Sequence, residues 1–524
     1  MSLLPANPLK KVLLVVILAI ALFFRFYNLE GSLQFQGDQG RDAIIVADIF
    51  RLKDLVFIGP VTSVGNMYLG PFYYYFMLPF LWLSYPSPMG PVYAVAILGF
   101  ITVYLVYHLG KKLIGENGAI IASFFYALSA VVSQNTRFSW NPNPAPLLSL
   151  LMIYFSYTAW KENPKHWLLV AGCFSLLIQL HYLTLLTLPA AGLIWLLAYR
   201  DQWHNSKNDH KKNLWQKLSP LLIPTFMAIG IFLLSLTPLV LFDLKHNGNN
   251  LMAFQNLVAN EDNFKYAPQE SIMTKFFSTI KENEGRGLHI LFETMIGKNR
   301  TLNITLLYFT LFFLTGLVIW KKKQKQNLAP LTVILIYLVV GIVGTSLYEH
   351  TIFDHYISYL FPITALIYGL VFSNLKPKFL GIIGLIAFTS YFLPYNWQKM
   401  PIKTMGWTVN DIKLTSEEIL KHLQPGEKYN LVLLSESRDI DGQNYRYFLT
   451  TGHTRPVFTE ERGNVDTLVI INEEKKLVDV VSNSPIYEIA TFPNKNIAEF
   501  FTIANGPEIT ILRRATQPPP EGLE

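Results

Sequence analysis

Asp38, Arg41, Asp42 and Asp48 fall close together in QFQGDQGRDAIIVADIFR, Gln34 to Arg51, within a 524-residue chain that is only 15% charged. A helix from Asp38 onward sets Asp38 and Asp42 one turn apart on one face. Ile44, Ile45, Ile49 and Leu52 then share another face, suited to resting on a membrane surface. A carboxylate beside a guanidinium is the equipment of a general base, and just outside a bilayer its substrate would be carried on a lipid. The competing reading is that these acids only solvate a short loop.

The elements that would position this stretch are membrane spans. The chain is 51% hydrophobic with mean hydropathy +0.30, and its apolar residues gather into long uncharged runs such as Val12 to Phe24, Leu302 to Trp320, Leu328 to Tyr348 and Phe379 to Trp397. Runs of about 20 apolar residues match a hydrocarbon core roughly 30 Å thick. The fold class expected is mainly α, a polytopic membrane bundle with about eleven spans, near 10–28, 90–110, 117–134, 144–160, 166–180, 182–199, 218–242, 302–320, 328–348, 355–373 and 378–396. The first run is followed by bulky Phe23, Phe24, Phe26 and Tyr27, so it reads as a retained anchor and not a cleaved signal.

Every second connection is basic: Lys10 and Lys11, Lys111 and Lys112, Lys161 and Lys165, Arg200 to Lys212, Lys321 to Lys325, and Lys376 with Lys378. This alternation places the N-terminus in the cytoplasm and the C-terminal segment beyond the last span outside. The net charge of +7 therefore belongs to span flanks and does not point to nucleic acid. The single cysteine, Cys173, lies within an apolar run, which rules out an intramolecular disulfide. No zinc-ligand spacing appears, and Asp38 with Asp42 alone is too small a set to indicate a divalent metal.

From about Lys399 the composition is that of a soluble α/β domain, 399–514, with strands expected at Tyr429–Ser435, Thr467–Ile471, Ile486–Phe492 and Glu508–Leu512, and a helix at Leu414–Leu423. The preceding 1–398 forms the membrane domain with the first outside loop at 29–88, and 515–524 is expected to be a disordered tail. Leu69 to Phe80 is apolar but short and Pro-interrupted, as in a re-entrant helix.

The remaining polar candidates lie in outside connections: Tyr74 in the first, Arg137, Trp140 and Asn141 in the second, Gln179 and His181 in the third. Asp243, Lys245 and His246 open the fourth, and Glu349, His350, Asp354 and His355 occupy the fifth. Each has a plain alternative. Arg137 would anchor a span end, His181 a packed turn, His355 an interface. Trp140-Asn141-Pro142 would start a helix, and the tyrosines at 73–75 would pack at headgroup depth.

GDQGRD, LGPFYYYFMLP, TRFSWNPNPAP, QLHY, PLVLFDLKH and HYISYLFP, together with the order of spans, resemble the GT-C glycosyltransferases. The likeness is to the bacterial branch similar to protein O-mannosyltransferases and lipid A aminoarabinose transferases, and it covers roughly residues 10 to 395. The resemblance implies a membrane glycosyltransferase using a polyprenyl-phosphate (undecaprenyl-type) monosaccharide, with its active site outside. It implies Asp38 as catalytic base, Arg41 and Asp42 as its companions, and Arg137, His181, His355, Trp140, Asn141 and Tyr74 around the donor and its phosphate. The acceptor would be a protein, lipid or cell-envelope polysaccharide. Two positions depart from the family pattern: Gln39 stands at the second acidic position, and His355 stands where a phosphate-facing lysine is frequent. A transporter or flippase of lipid-linked glycans, and a non-catalytic relative, are the rival readings; clean spans with polarity at one face favour the enzyme. The topology predicts that a reporter fused after Lys325 is inaccessible from outside the cell; labelling of intact cells checks this, and outside labelling overturns the orientation.

Overall fold

The computed structural model describes residues 3–62, 67–207, 213–259, 272–348, 351–404, 406–457, 461, 465–478, 481, 483–493 and 495–514. The tail at 515–524 and the loop residues Glu349 and His350 lie outside them. In chain order the helices used below are α1 (Pro8–Phe26), α2 (Gly37–Phe50), α3 (Phe72–Ser84), α4 (Met89–Ile114), α5 (Glu116–Leu128), α6 (Ala145–Lys161), α7 (Trp167–Leu180) and α8 (Thr187–Lys207). They continue with α9 (Leu214–Ser235), α10 (Asn249–Ala259), α11 (Ile272–Leu288), α12 (Arg300–Lys323), α13 (Ala329–Ser346), α14 (Phe361–Asn374), α15 (Lys378–Lys399), α16 (Val409–Lys421) and α17 (Gln443–Leu449).

Among the described residues, seven helices are long and apolar enough to cross a membrane: Met89–Ile114, Tyr182–Asn205, Leu214–Ser235, Arg300–Lys323, Ala329–Ser346, Asp354–Asn374 and Lys378–Lys399. The other four expected spans are helical at the expected places but shorter or more charged. α1 carries Lys10, Lys11 and Arg25. The run 117–134 is broken at Ser129, which takes an extended conformation between α5 and a five-residue helix, Ala130–Gln134. α6 has 17 residues and α7 has 14. The short apolar stretch in the first loop is α3, 13 residues with Pro79 inside.

The chain forms two compact units. One comprises Met1–Tyr27, Leu55–Phe76 and Val92–Pro401; the other Asn28–Asp54, Met77–Pro91 and Ile402–Glu524. Sequence alone assigns the whole first loop to the membrane domain. The second unit instead takes in its acidic part, joined to the residues after 402 by main-chain contact: the Val409 amide donates to the Leu33 carbonyl at 3.0 Å.

Within the first unit, α5 and α14 make the most extensive helix pairing. It depends on two glycines, because a Cβ on Gly369 would stand 2.2 Å from the Gly118 carbonyl oxygen, and one on Gly118 would stand 3.1 Å from that of Gly369. Small residues facing each other let helix backbones approach where lipid offers no hydrophobic drive. Phe125 lies two turns on from Gly118 and meets Tyr368, Phe388 and Phe392 edge-on at 5.5, 5.2 and 4.9 Å.

Within the second unit a four-stranded sheet runs in the order β1-β2-β4-β3, with β1 (Tyr429–Leu434), β2 (Thr467–Asn472), β3 (Asn496–Thr502) and β4 (Glu508–Arg513). β1 and β2 are parallel, and the other pairs antiparallel. Three expected strands are present. The fourth is not: Tyr487–Ala490 is a helical turn that buries Ile489 and leaves Tyr487 at the surface. The strand that was missed is β3, whose mixed, mostly exposed sequence NIAEFFT forms an edge. α16 starts five residues earlier than expected because Thr408 and Asp411 form a capping box, the Thr408 amide and hydroxyl both donating to Asp411 Oδ2 at 2.8 and 2.7 Å.

Gly369→Ala should lower the thermal midpoint of the protein in detergent, the overpacking costing about 1–3 kcal/mol. Gly172→Ala, where a Cβ meets nothing within 4 Å, should not. A thermal-shift comparison showing equal midpoints would remove the crossing from its supporting role.

Candidate functional site

The acidic stretch folds as expected into a helix. Asp38 occupies the first turn of α2, where an anion is favoured by the exposed amides of a helix start. Arg41 reaches both carboxylates: its Nη1 donates to Asp38 Oδ1 at 2.8 Å, and its Nε and Nη2 donate to Asp42 Oδ1 at 3.0 and 2.8 Å. The two acids differ in environment. The Asp42 side chain is 1% exposed and that of Asp38 is 51% exposed. Asp42 thus fixes the guanidinium, and the guanidinium holds the open carboxylate of Asp38 in one orientation. Gln39 turns inward and is buried, so Arg41, not residue 39, is the partner of Asp38. At the far end of α2, Asp48 pairs with Lys53 at 3.2 Å and Arg455 at 3.7 Å.

Sequence reasoning missed why the first turn of α2 carries two glycines. A Cβ on Gly37 would lie 2.1 Å from Asp439 Oδ2, and one on Gly40 would lie 2.2 Å from the Gln443 carbonyl oxygen. The G-x-x-G spacing was the legible signal; Asp439, about four hundred residues later, had none.

The other candidates belong to the membrane unit. There His355 packs its ring on Trp140 at 4.4 Å and on Tyr356 at 4.5 Å, with His181 at 6.3 Å, so the connections that carry these residues meet. His181 closes a turn. It ends α7 in an extended conformation, and its Nδ1 accepts from the Leu183 amide at 3.2 Å, which leaves the proton on Nε2. Burial, reinforced by nearby His355, pushes its pKa down to about 3. His181 is therefore neutral at physiological pH and contributes shape, not charge.

Arg137 donates from Nη1 to the Phe24 carbonyl at 2.7 Å and from Nη2 to the Tyr27 carbonyl at 2.8 Å, closing the C-terminal end of α1. Burial pushes its pKa down to about 10, so it stays charged at neutral pH. Asn141 donates to the Leu180 carbonyl. Tyr74 is buried, and its neighbour Tyr73 shares a hydrogen bond with Ser139 at 2.7 Å. Gln179 accepts from the Phe72 amide at 3.2 Å and so receives the start of α3. Asp243, a candidate from the fourth loop, is occupied as the cap of α10, taking the Asn250 and Leu251 amides at 2.7 and 3.1 Å.

A further cluster in this unit escapes sequence reasoning, which shows the fourth loop only as long and mixed in charge. A cavity of about 670 Å³ is lined by Lys281, Arg286, Lys298 and Arg300, with Glu284 and Glu293 among them. His289 stands between Glu293 and Asp354 at 3.6 and 3.5 Å on a π-helical turn, His289–Glu293. Burial holds the His289 pKa below its usual value against those two carboxylates. Among the described residues no group of three or more His, Cys, Asp or Glu side chains is arranged to hold a metal.

Residues 70–216 match the family model of dolichyl-phosphate-mannose-protein mannosyltransferases, a range that includes Tyr74, Arg137, Trp140, Asn141 and His181 but neither Asp38 nor His355. Crystal structures of ArnT from Cupriavidus metallidurans, bound to undecaprenyl phosphate and in the apo state, match over 95% of this chain and 97% of theirs. They do so with TM-score 0.57 at 12% and 11% identity. The chain has the GT-C fold. An oligosaccharyltransferase from Archaeoglobus fulgidus matches 88% of this chain and 68% of its own at 13% identity and TM-score 0.48. Among curated proteins none matches by sequence. The expected fold class is thus borne out: a mainly helical multi-pass membrane protein with a small sheet domain toward its C-terminal end.

Because His181 titrates far below its unfolded value, the folded state binds fewer protons than the unfolded chain. Stability is then highest above about pH 6.5 and falls as pH drops toward 3, by at most about 1.4 kcal/mol per pH unit. His181→Asn, which keeps an acceptor for the Leu183 amide, should flatten this decline in a thermal-shift series from pH 7 to 4. An unchanged slope would mean that His181 is not the titrating group.

Proposed function

We propose that this protein is an integral-membrane glycosyltransferase that moves a monosaccharide from a polyprenyl-phosphate donor to a hydroxyl outside the cytoplasm. The observation that carries the reading is the pairing of an open carboxylate, Asp38, with a guanidinium that a buried second carboxylate, Asp42, holds in place. Its location in the loop after the first span suits a lipid-borne donor.

In the proposed step Asp38 accepts the proton of the acceptor hydroxyl as that oxygen attacks the anomeric carbon. The bond from that carbon to the phosphate oxygen breaks on the opposite face, its electron pair leaving with the polyprenyl phosphate, and configuration inverts. Arg41 orients the base, and Asp42 orients Arg41. His355, Trp140 and Tyr74 are the candidates for touching the donor. Arg137, His181 and Asn141 hold the connections that present those side chains. Phosphate is a good leaving group, so the proposed step asks for little beyond one oriented base. By the basic-loop rule the N-terminus is cytoplasmic and the C-terminal domain lies outside with the acceptor, whether protein, lipid or cell-envelope glycan.

The test uses protein in nanodiscs with a panel of radiolabelled polyprenyl-phosphate sugars and a membrane and cell-wall extract. Wild type should move label into a non-donor product, and Asp38→Asn should lose about 10²–10⁴ of that rate while melting like wild type. Asp38→Asn with wild-type transfer would remove Asp38 as the base. Donor binding without transfer in every fraction would favour a lipid-glycan flippase.

A further inference from the structure

We propose that Asp439, in the loop between β1 and α17, is a positioning residue for the carboxylate of Asp38, so that the C-terminal domain is a working part of the catalytic loop. The inference rests on the reading of Asp38 as the base and assigns to the domain a task within that site.

The contact is backbone against carboxylate. With no side chain at residue 37, the first turn of α2 lies directly on Asp439, whose Oδ2 would be 2.1 Å from any Cβ there. One turn on, Gly40 lies as closely on the start of α17. A side chain at either position would collide with these groups, so both close approaches require glycine. Asp439 is itself fixed. Its Oδ2 accepts the Gln443 amide at 2.8 Å, its carbonyl accepts the Gly442 amide at 3.1 Å, and the Ile440 carbonyl accepts the Leu433 amide at 2.8 Å. Gly442 has φ +55° and its Cα faces Leu431 and Leu433 of β1, a conformation that suits glycine. A continuous chain of contacts therefore runs from the core strand β1 through 440 and 439 to Gly37, the residue before Asp38.

The second component is charge. Asp38 faces Arg41 and, through it, Asp42 on its own helix. Asp439 faces Asp38 across the contact, and on its own side Asp441 and Arg446. Arg446 is turned into the domain, donating to the Val457 carbonyl and Asn430 Oδ1 at 2.8 Å each. Burial holds the Asp439 carboxyl above its usual range, and Asp441 and Asp38 push in the same direction. Two carboxylates thus stand at one helix start, Asp38 held by Arg41 and Asp439 by the Gln443 amide.

Asp439→Asn keeps the acceptor for the Gln443 amide and removes the charge. In the nanodisc assay, with whichever radiolabelled polyprenyl-phosphate sugar supports transfer, the acid limb of its pH–rate profile should move to lower pH. The shift should be about half a unit, the effect of one like charge a few ångströms away across a water-like dielectric. Asp439→Glu, which keeps the charge but is too long for the contact with Gly37, should lower kcat by roughly tenfold or more with the acid limb unmoved. An unmoved limb in Asp439→Asn, or wild-type kcat in Asp439→Glu, overturns the proposal. The Asp38→Asn variant in the same assay separates the two readings, because full activity there sinks the base assignment, not this contact alone. If Asp439→Asn does not fold, the substrate-free measurement is the thermal midpoint of Gly37→Ala and Asp38→Asn, singly and combined. Additive midpoints at pH 7 would likewise overturn the proposal, and coupling that disappears at pH 3 would support it.

Discussion

A helix that ends near a bilayer leaves backbone groups without partners in a place where water is scarce, and each must be met by something. Here side chains meet them. Arg137 takes the last carbonyls of α1, and Arg25, wholly buried, donates to the carbonyls of Ala21 and Ala127 at 3.2 and 3.4 Å. His181 takes the amide that opens the turn after α7, Gln179 the one that opens α3, and Asp243 those that open α10. Most of these are residues whose chemical types had suggested direct work on a substrate. Their geometry shows that the same types are needed to make polar turns between apolar helices.

That distinction sorts the polar residues by what their atoms already do. Arg137 Nη1 and Nη2 and His181 Nδ1 are engaged with backbone, whereas His355 presents a half-buried ring within an aromatic cluster. On α2 the sorting is sharper still. Asp42 is buried and Asp38 open on the same guanidinium, so two carboxylates one turn apart stand in unlike environments.

Much of this was legible in the sequence, for physical reasons. Apolar length and basic flanks mark spans because the bilayer imposes both. Hydrophobic runs bounded by turn residues mark β1, β2 and β4 because those strands are buried on both faces, and β3 was missed because an edge strand carries a weak pattern. The break at Ser129 had no composition signal, since a kink costs apolar runs nothing in hydropathy. The helix carrying Asp38, Arg41 and Asp42 was visible from local spacing. What supports it was not, because Asp439 and α17 are remote in sequence and nothing in their letters refers to residue 37. Likewise the cations at 281, 286, 298 and 300 read as scattered charge until the fold gathers them about one cavity.

The strand order has a consequence for how the protein is made. β4, the last strand, lies inside the sheet between β2 and β3, so β2 lacks its antiparallel partner until residue 513 is available. α2 is synthesised well before that sheet and rests on the loop after its β1. The carboxylate-bearing helix therefore waits for a distant, later stretch of the chain before its support can close. A chain interrupted between the two holds the helix without the loop it rests on, and the later segment is what closes the contact.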